Sequence, residues 1–214
     1  MTSWIVPLLF VPISFLLGYG YVRGRRKNHA IASSVVRSLE EFYHPEEKRY
    51  TNIGGVIGYH IYYRLTGRIE RLVGTLTLLP RHAVLYLPIS RLLGRTDQLR
   101  LTLHTDAIPL GEGHIVEPEA LSAGWIFIRD EESLHRQEVS CRGRPLVILS
   151  YNPLVAERLN RFLAALQTVE GLSAFTISRL ERHYTLVVEP NRANLVELIR
   201  GLQDHLGLLE VERI

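Results

Sequence analysis

The chain has 214 residues, of which 46% are hydrophobic and 22% charged, with one cysteine and a formal net charge of +3. That balance excludes intrinsic disorder as the main state, and the lone Cys141 excludes a disulfide scaffold and any multi-cysteine zinc or iron-sulfur site. The charge is uneven: Arg23, Arg25, Arg26 and Lys27 stand together, and residues 28–214 are close to neutral, which argues against a general nucleic-acid-binding surface and leaves only a local patch open.

Residues 4–22 run without a charged side chain, and as a helix they would reach roughly 28 Å, the thickness of a bilayer core. The basic group follows the apolar run, the reverse of a signal peptide, and Trp4, Tyr19 and Tyr21 sit where interfacial aromatics belong. The expectation is a single-pass span in the cell membrane, N-terminus outside and the rest cytoplasmic. Arg23, Arg25, Arg26 and Lys27 would set orientation and hold the chain at the lipid surface.

Residues 28–49 read as a helical linker, with Ile31, Val35, Val36, Leu39 and Phe42 on one stripe. A strand-rich α+β subdomain follows over 50–144. Residues 56–65 and 69–79 are strands joined at Thr66-Gly67-Arg68, and residues 99–104 alternate as a third. Residues 81–93 suit a helix except for Pro88. Residues 108–124 read as loop, and 125–128 as a short apolar strand.

Residues 145–214 carry the order β-α-β-β-α-β of a ferredoxin-like subdomain: strands at 146–149, 172–179, 184–189 and 208–213, and helices at 154–169 and 193–206. Asn152-Pro153 and Pro190-Asn191 mark the helix starts. The fold class expected is therefore α+β: an N-terminal transmembrane helix (1–27), the linker, and a cytosolic mixed α/β domain whose C-terminal half is ferredoxin-like.

No pattern of catalytic residues stands out, so the chain reads as non-enzymatic, with no cofactor and no metal site. His104, Asp106 and Glu112 are the residues from which a dispersed active site would be assembled, and His104, Asp106 and His114 would reach one metal only if the intervening loop folded back. His60 and His82 lie among apolar residues, as hydrogen-bonded, partly buried imidazoles do. Gly54-Gly55-x-x-Gly58 lacks the Lys-Ser/Thr of a phosphate loop and reads as a tight turn. Phe175 and Tyr184 could stack bases on a sheet, but core packing accounts for them better. Residues 85–93 are apolar around Pro88. Burial against the sheet is the favoured expectation, and otherwise Leu85, Tyr86, Leu87, Ile89, Leu92 and Leu93 form a partner-contact surface.

The run from residue 71 to 105, RLVGTLTLLPRHAVLYLPISRLLGRTDQLRLTLHT, followed by a short strand at Trp125 and an LVILS strand before a helix, resembles the calumin family. These are coiled-coil-domain membrane proteins of the endoplasmic reticulum that work in the multipass translocon with the PAT intramembrane chaperone. The resemblance implies a distant archaeal or other prokaryotic relative: a membrane-anchored adaptor or chaperone for membrane-protein insertion. Its implied partners are membrane lipid, translocon subunits, the ribosome and membrane-protein clients. The chain departs from that pattern at both ends, without the acidic segment or the charged coiled coil, so no family site residue carries over. A self-assembling membrane scaffold and a membrane-anchored enzyme are the alternatives.

Overall fold

The computed structural model describes residues 5–122, 124, 126, 128 and 131–211, and side chains within helix α1 from Phe10 onward. Helix α1 (Ile5–Tyr43) leads into three antiparallel strands, β1 (Glu47–Asn52), β2 (Gly58–Arg64) and β3 (Ile69–Thr77). Then come the short helix α2 (Tyr86–Leu92), β4 (Gln98–Thr105), β5 (Gly113–Val116), the one-turn helix α3 (Pro118–Ser122), and the hairpin β6 (His135–Cys141) and β7 (Arg144–Ser150). The chain closes with α4 (Pro153–Ala165), β8 (Leu172–Ser178), β9 (His183–Val188), α5 (Leu195–His205) and a 3-10 turn over Leu206–Leu209.

The nine strands of the described residues form one sheet in the order β1-β2-β3-β4-β9-β8-β5-β7-β6, and every pairing between them is antiparallel. This corrects the ferredoxin-like expectation for the C-terminal half. In that fold the strand before α4 would lie beside β9. Here β5, from a segment read as loop, inserts between β7 and β8, and β9 turns outward to pair with β4. Over its described residues the last expected strand, 208–213, does not form either: the chain closes the 3-10 turn and makes a bridge between Pro109 and Glu210, while residues 212 and 213 lie outside the described residues.

The side-chain period of 2 gives the sheet two different faces. One row crosses seven strands as Ile61, Gly74, Leu101, Leu186, Phe175, Ile115 and Ile148, all facing the layer of α1, α4 and α5. Gly74 is required in that row, because a Cβ there would stand 3.0 Å from Leu101 Cδ2 and 3.3 Å from the Ile61 Cβ. Phe162, Phe175 and Tyr184 stack at its centre, as the core-packing reading of the latter two expects. A smaller apolar cluster of Val116, Ala120, Val147, Leu149 and Ala174 lies against α3 on the opposite face.

The linker stripe does pack inward. Ala32, Val35 and Leu39 are buried, Tyr43 Oη accepts from Gln203 Nε2 at 3.0 Å, and Arg200 lies over the Phe42 ring. At roughly 1.5–3 kcal/mol for each buried side chain of the size of Val35 and Leu39, the second half of α1 is an integral part of the fold.

Among the described residues no helix is long and apolar enough to cross a membrane, which corrects the single-pass span and the membrane topology expected from it. Trp4 lies outside the described residues. The physical reason lies in α1 itself. The apolar run of α1 passes into the basic group within one continuous helix. The turn that follows is drawn onto the protein: Gly20 backs onto Val84, and a Cβ at Gly24 would run into the Arg81 carbonyl. The helix does not end at the basic group but continues to Tyr43.

Candidate functional site

The most unusual surface is where α1 leaves the sheet. Phe10, Val11, Ile13, Phe15, Leu16, Tyr19, Tyr21 and Val22 are all exposed, Phe15 by 76%, so this part of α1 is apolar without a covering layer. A helix apolar around its whole circumference is ordinarily a buried one. Helix α2 lies beside it. Contrary to the burial expected for residues 85–93, Leu85, Tyr86, Ile89, Leu92 and Leu93 are exposed, Leu85 by 75% and Leu92 by 90%, while Leu87 is half-buried against α1. Pro88 falls in the first turn of α2, where a missing N–H costs nothing, so helix and proline coexist.

A network of buried polar groups fixes the two helices together. Asn28, fully buried on α1, donates from Nδ2 to the carbonyls of Val56 (3.0 Å) and Leu79 (2.9 Å) and accepts from Arg81 Nη1 at 3.0 Å. Arg81 pairs with Asp97, which also accepts from the Leu79 N–H at 2.8 Å and from Asn191. Burial alone would raise the Asp97 carboxyl, but these hydrogen bonds outweigh it and hold the group below the usual carboxylate range. Gly20 and Gly24 give the close approach. The segment 79–97 is thereby clamped to α1, and the apolar residues of both helices form one platform.

Arg23, Arg25, Arg26 and Lys27 are exposed on the turns just below this platform. Arg23 donates to Tyr19 Oη at 3.4 Å, and Arg25 donates to Tyr21 Oη at 3.3 Å while lying over its ring. None of the four takes part in a salt bridge among the described residues.

His82 lies edge-on to Tyr21 beside the platform, 5.9 Å between ring centroids, and four further histidines lie elsewhere. His60, His104, His114 and His183 all project from the sheet face opposite α1, α4 and α5, among Thr75, Thr102, Thr176 and Thr185. His104 and His183 face each other at 5.6 Å between ring centroids, and burial, with Arg71 and each other's charge for His104, holds both imidazoles low. His114 is separated from the His104 strand by β9 and β8, roughly 14 Å at ordinary strand spacing, so the two do not share an ion. Among the described residues no three His, Cys, Asp or Glu side chains are grouped to hold a metal. Asp106 lies in the turn after β4, against Arg68, Ala107 and Ile108, and Glu112 precedes β5 on the far side of the two intervening strands. The dispersed active-site residues are not brought together.

Cys141 ends β6, half-buried, with its Sγ 3.4 Å from the Leu163 carbonyl, while Arg142 and Arg144 turn away to the carbonyls of Leu166 and Val169. Both sheet edges carry charge, Lys48 and Arg49 on β1 and Arg136 and Glu138 on β6, a pattern that discourages edge pairing between copies.

No family model and no curated protein matches this chain. Among solved structures it is similar to the mycobacterial trehalose monomycolate transport factor A, TtfA, at 10% identity and a TM-score of 0.44, over 91% of this chain and 99% of that one. At that score the likeness carries no inference about function.

Proposed function

We propose that the protein is a non-enzymatic adaptor or chaperone that holds apolar helical segments of client proteins on the α1–α2 platform. The observation that carries this reading is the uncovered apolar helix, residues 10–22, continuous with the exposed face of α2. Exposed apolar area on that scale marks an interaction site. A client helix suits it in shape, because ridges of side chains at three- and four-residue spacing pack into the matching grooves of another helix, and Gly18 leaves a shallow place for close approach. The network from Asn28 to Asp97 keeps the two halves in one arrangement, so binding does not have to order them. The calumin resemblance points in the same direction, toward clients and machinery of membrane-protein insertion.

The reading is tested by releasing a detergent-solubilised apolar helix peptide into buffer with or without the protein. The wild type should keep the peptide soluble near equimolar ratio, and Phe15→Glu with Leu92→Glu should not. Equal protection by both proteins, or by neither, contradicts the reading.

A further inference from the structure

Between α1 and the segment 81–91 lies a cleft of about 260 Å³ with cations on both walls. Gly20, Arg23, Gly24 and Lys27 form one wall, at helical spacings of three and four, and Arg81, Val84, Leu87 and Arg91 form the other. The two glycines let the walls meet, Gly20 against Val84 and Gly24 against the Arg81 carbonyl, while Arg23, Lys27 and Arg91, with Arg81 held by Asp97, line the cleft and no acidic side chain does so among the described residues. Lys27 and Arg91 make no salt bridge among the described residues, and Arg81, only 9% exposed, keeps a buried Nε with no hydrogen-bond partner although its Nη atoms are committed to Asp97 and Asn28. Such a buried donor left unmatched is costly and uncommon in a folded protein. The exposed apolar residues Tyr19 and Leu92 belong to the same two helices, and Leu85 directly precedes the second.

We propose that this cleft is a binding site for a phosphate ester, with Lys27, Arg23 and Arg91 donating to its oxygens. The apolar surface beside it suits the acyl chains of an anionic phospholipid, so the ester can be a lipid headgroup or a free phosphate monoester. The site goes beyond the adaptor reading and does not depend on it: either can fail while the other stands.

Two double variants test the proposal in the full-length protein. Lys27→Ala with Arg91→Ala removes two cations of the cleft. Arg25→Ala with Arg26→Ala removes the same charge from neighbouring turns that do not line it. All four side chains are exposed, so both proteins should keep the wild-type melting temperature. The probes are phosphatidylglycerol-containing vesicles, by co-flotation, and soluble glycerol phosphate, by calorimetry. Attraction to a charged surface alone is worth about fivefold per cation and would weaken vesicle binding equally in the two variants. The proposal expects the cleft variant to lose at least about tenfold more than its control. Loss against vesicles alone assigns the ester to a lipid, and loss against glycerol phosphate as well assigns it to a free monoester. Equal losses in the two variants, or binding of neither probe by the wild type, overturn it.

Discussion

Arg81 and Asp97 meet as a two-pronged ion pair, Nη1 2.7 Å from Oδ1 and Nη2 2.6 Å from Oδ2, with neither side chain more than 9% exposed. Together with Asn28 the pair ties the segment before α2 to the middle of α1. The platform exists as one surface because of it.

Removing one partner should therefore cost more than removing both. Asp97→Ala leaves a buried guanidinium unpaired and is expected to lower the unfolding free energy by about 3–5 kcal/mol, whereas Arg81→Met with Asp97→Leu loses less. Urea denaturation of the two proteins checks the order.

The two glycines 18 and 24 lie on the same helix and should respond oppositely to alanine. Nothing lies within 4 Å of a Cβ placed at Gly18, so Gly18→Ala should raise stability by up to about 1 kcal/mol through helix propensity. At Gly24 the Cβ meets the Arg81 carbonyl, and Gly24→Ala should lower stability by about 1–3 kcal/mol as the clamp is forced apart. Calorimetric melting of both variants gives the sign directly.

Burial pushes the His114 imidazole down from 6.5 to about 4, with its Nδ1 3.1 Å from Thr176 Oγ1. Its neutral form is the one the fold accepts, so the unfolded chain takes up the proton first as pH falls. The stability lost begins near the unfolded value of 6.5 and approaches its full size near 4, roughly 3 kcal/mol for this group. Denaturation midpoints across that interval should show the loss, and His114→Gln should flatten it.

Leu92 and Phe15 contact little of the rest of the fold, being 90% and 76% exposed. Exchanging each for glutamate should change stability by less than about 0.5 kcal/mol while reducing self-association at high concentration, read by light scattering.

Much of the sheet was legible in the sequence. The β2–β3 hairpin turns at Thr66-Gly67-Arg68, where Gly67 takes a φ of +110°, and β4 alternates over the expected residues. Asn152 caps α4 with its side chain 2.9 Å from the Leu154 N–H, and Pro153 opens the helix. The part hidden from the sequence is β5: four residues, Gly113–Val116, between segments rich in Gly, Pro and acids, too short for any period to show. Because β5 takes the place beside β7, the ferredoxin-like order fails for the whole half. The strand expected at 125–128 does not replace it; Ile126 and Ile128 are not in a strand, and Trp125 and Phe127 lie outside the described residues. The clamp was also illegible, since Asn28, Arg81, Asp97 and Asn191 are dispersed in sequence and meet only through the fold. Of the site, the arginine group and the apolar residues of 85–93 were singled out from sequence; that α1 and α2 share one platform was not.

The central claim is that the α1–α2 platform holds an apolar helix of another polypeptide. A photo-crosslinking amino acid placed at Leu92 in the native host tests it most directly, with adducts identified by mass spectrometry. The account predicts adducts within apolar helical segments of other proteins, lost when Phe15 is changed to glutamate. Adducts confined to lipid or to a second copy of the chain would contradict it.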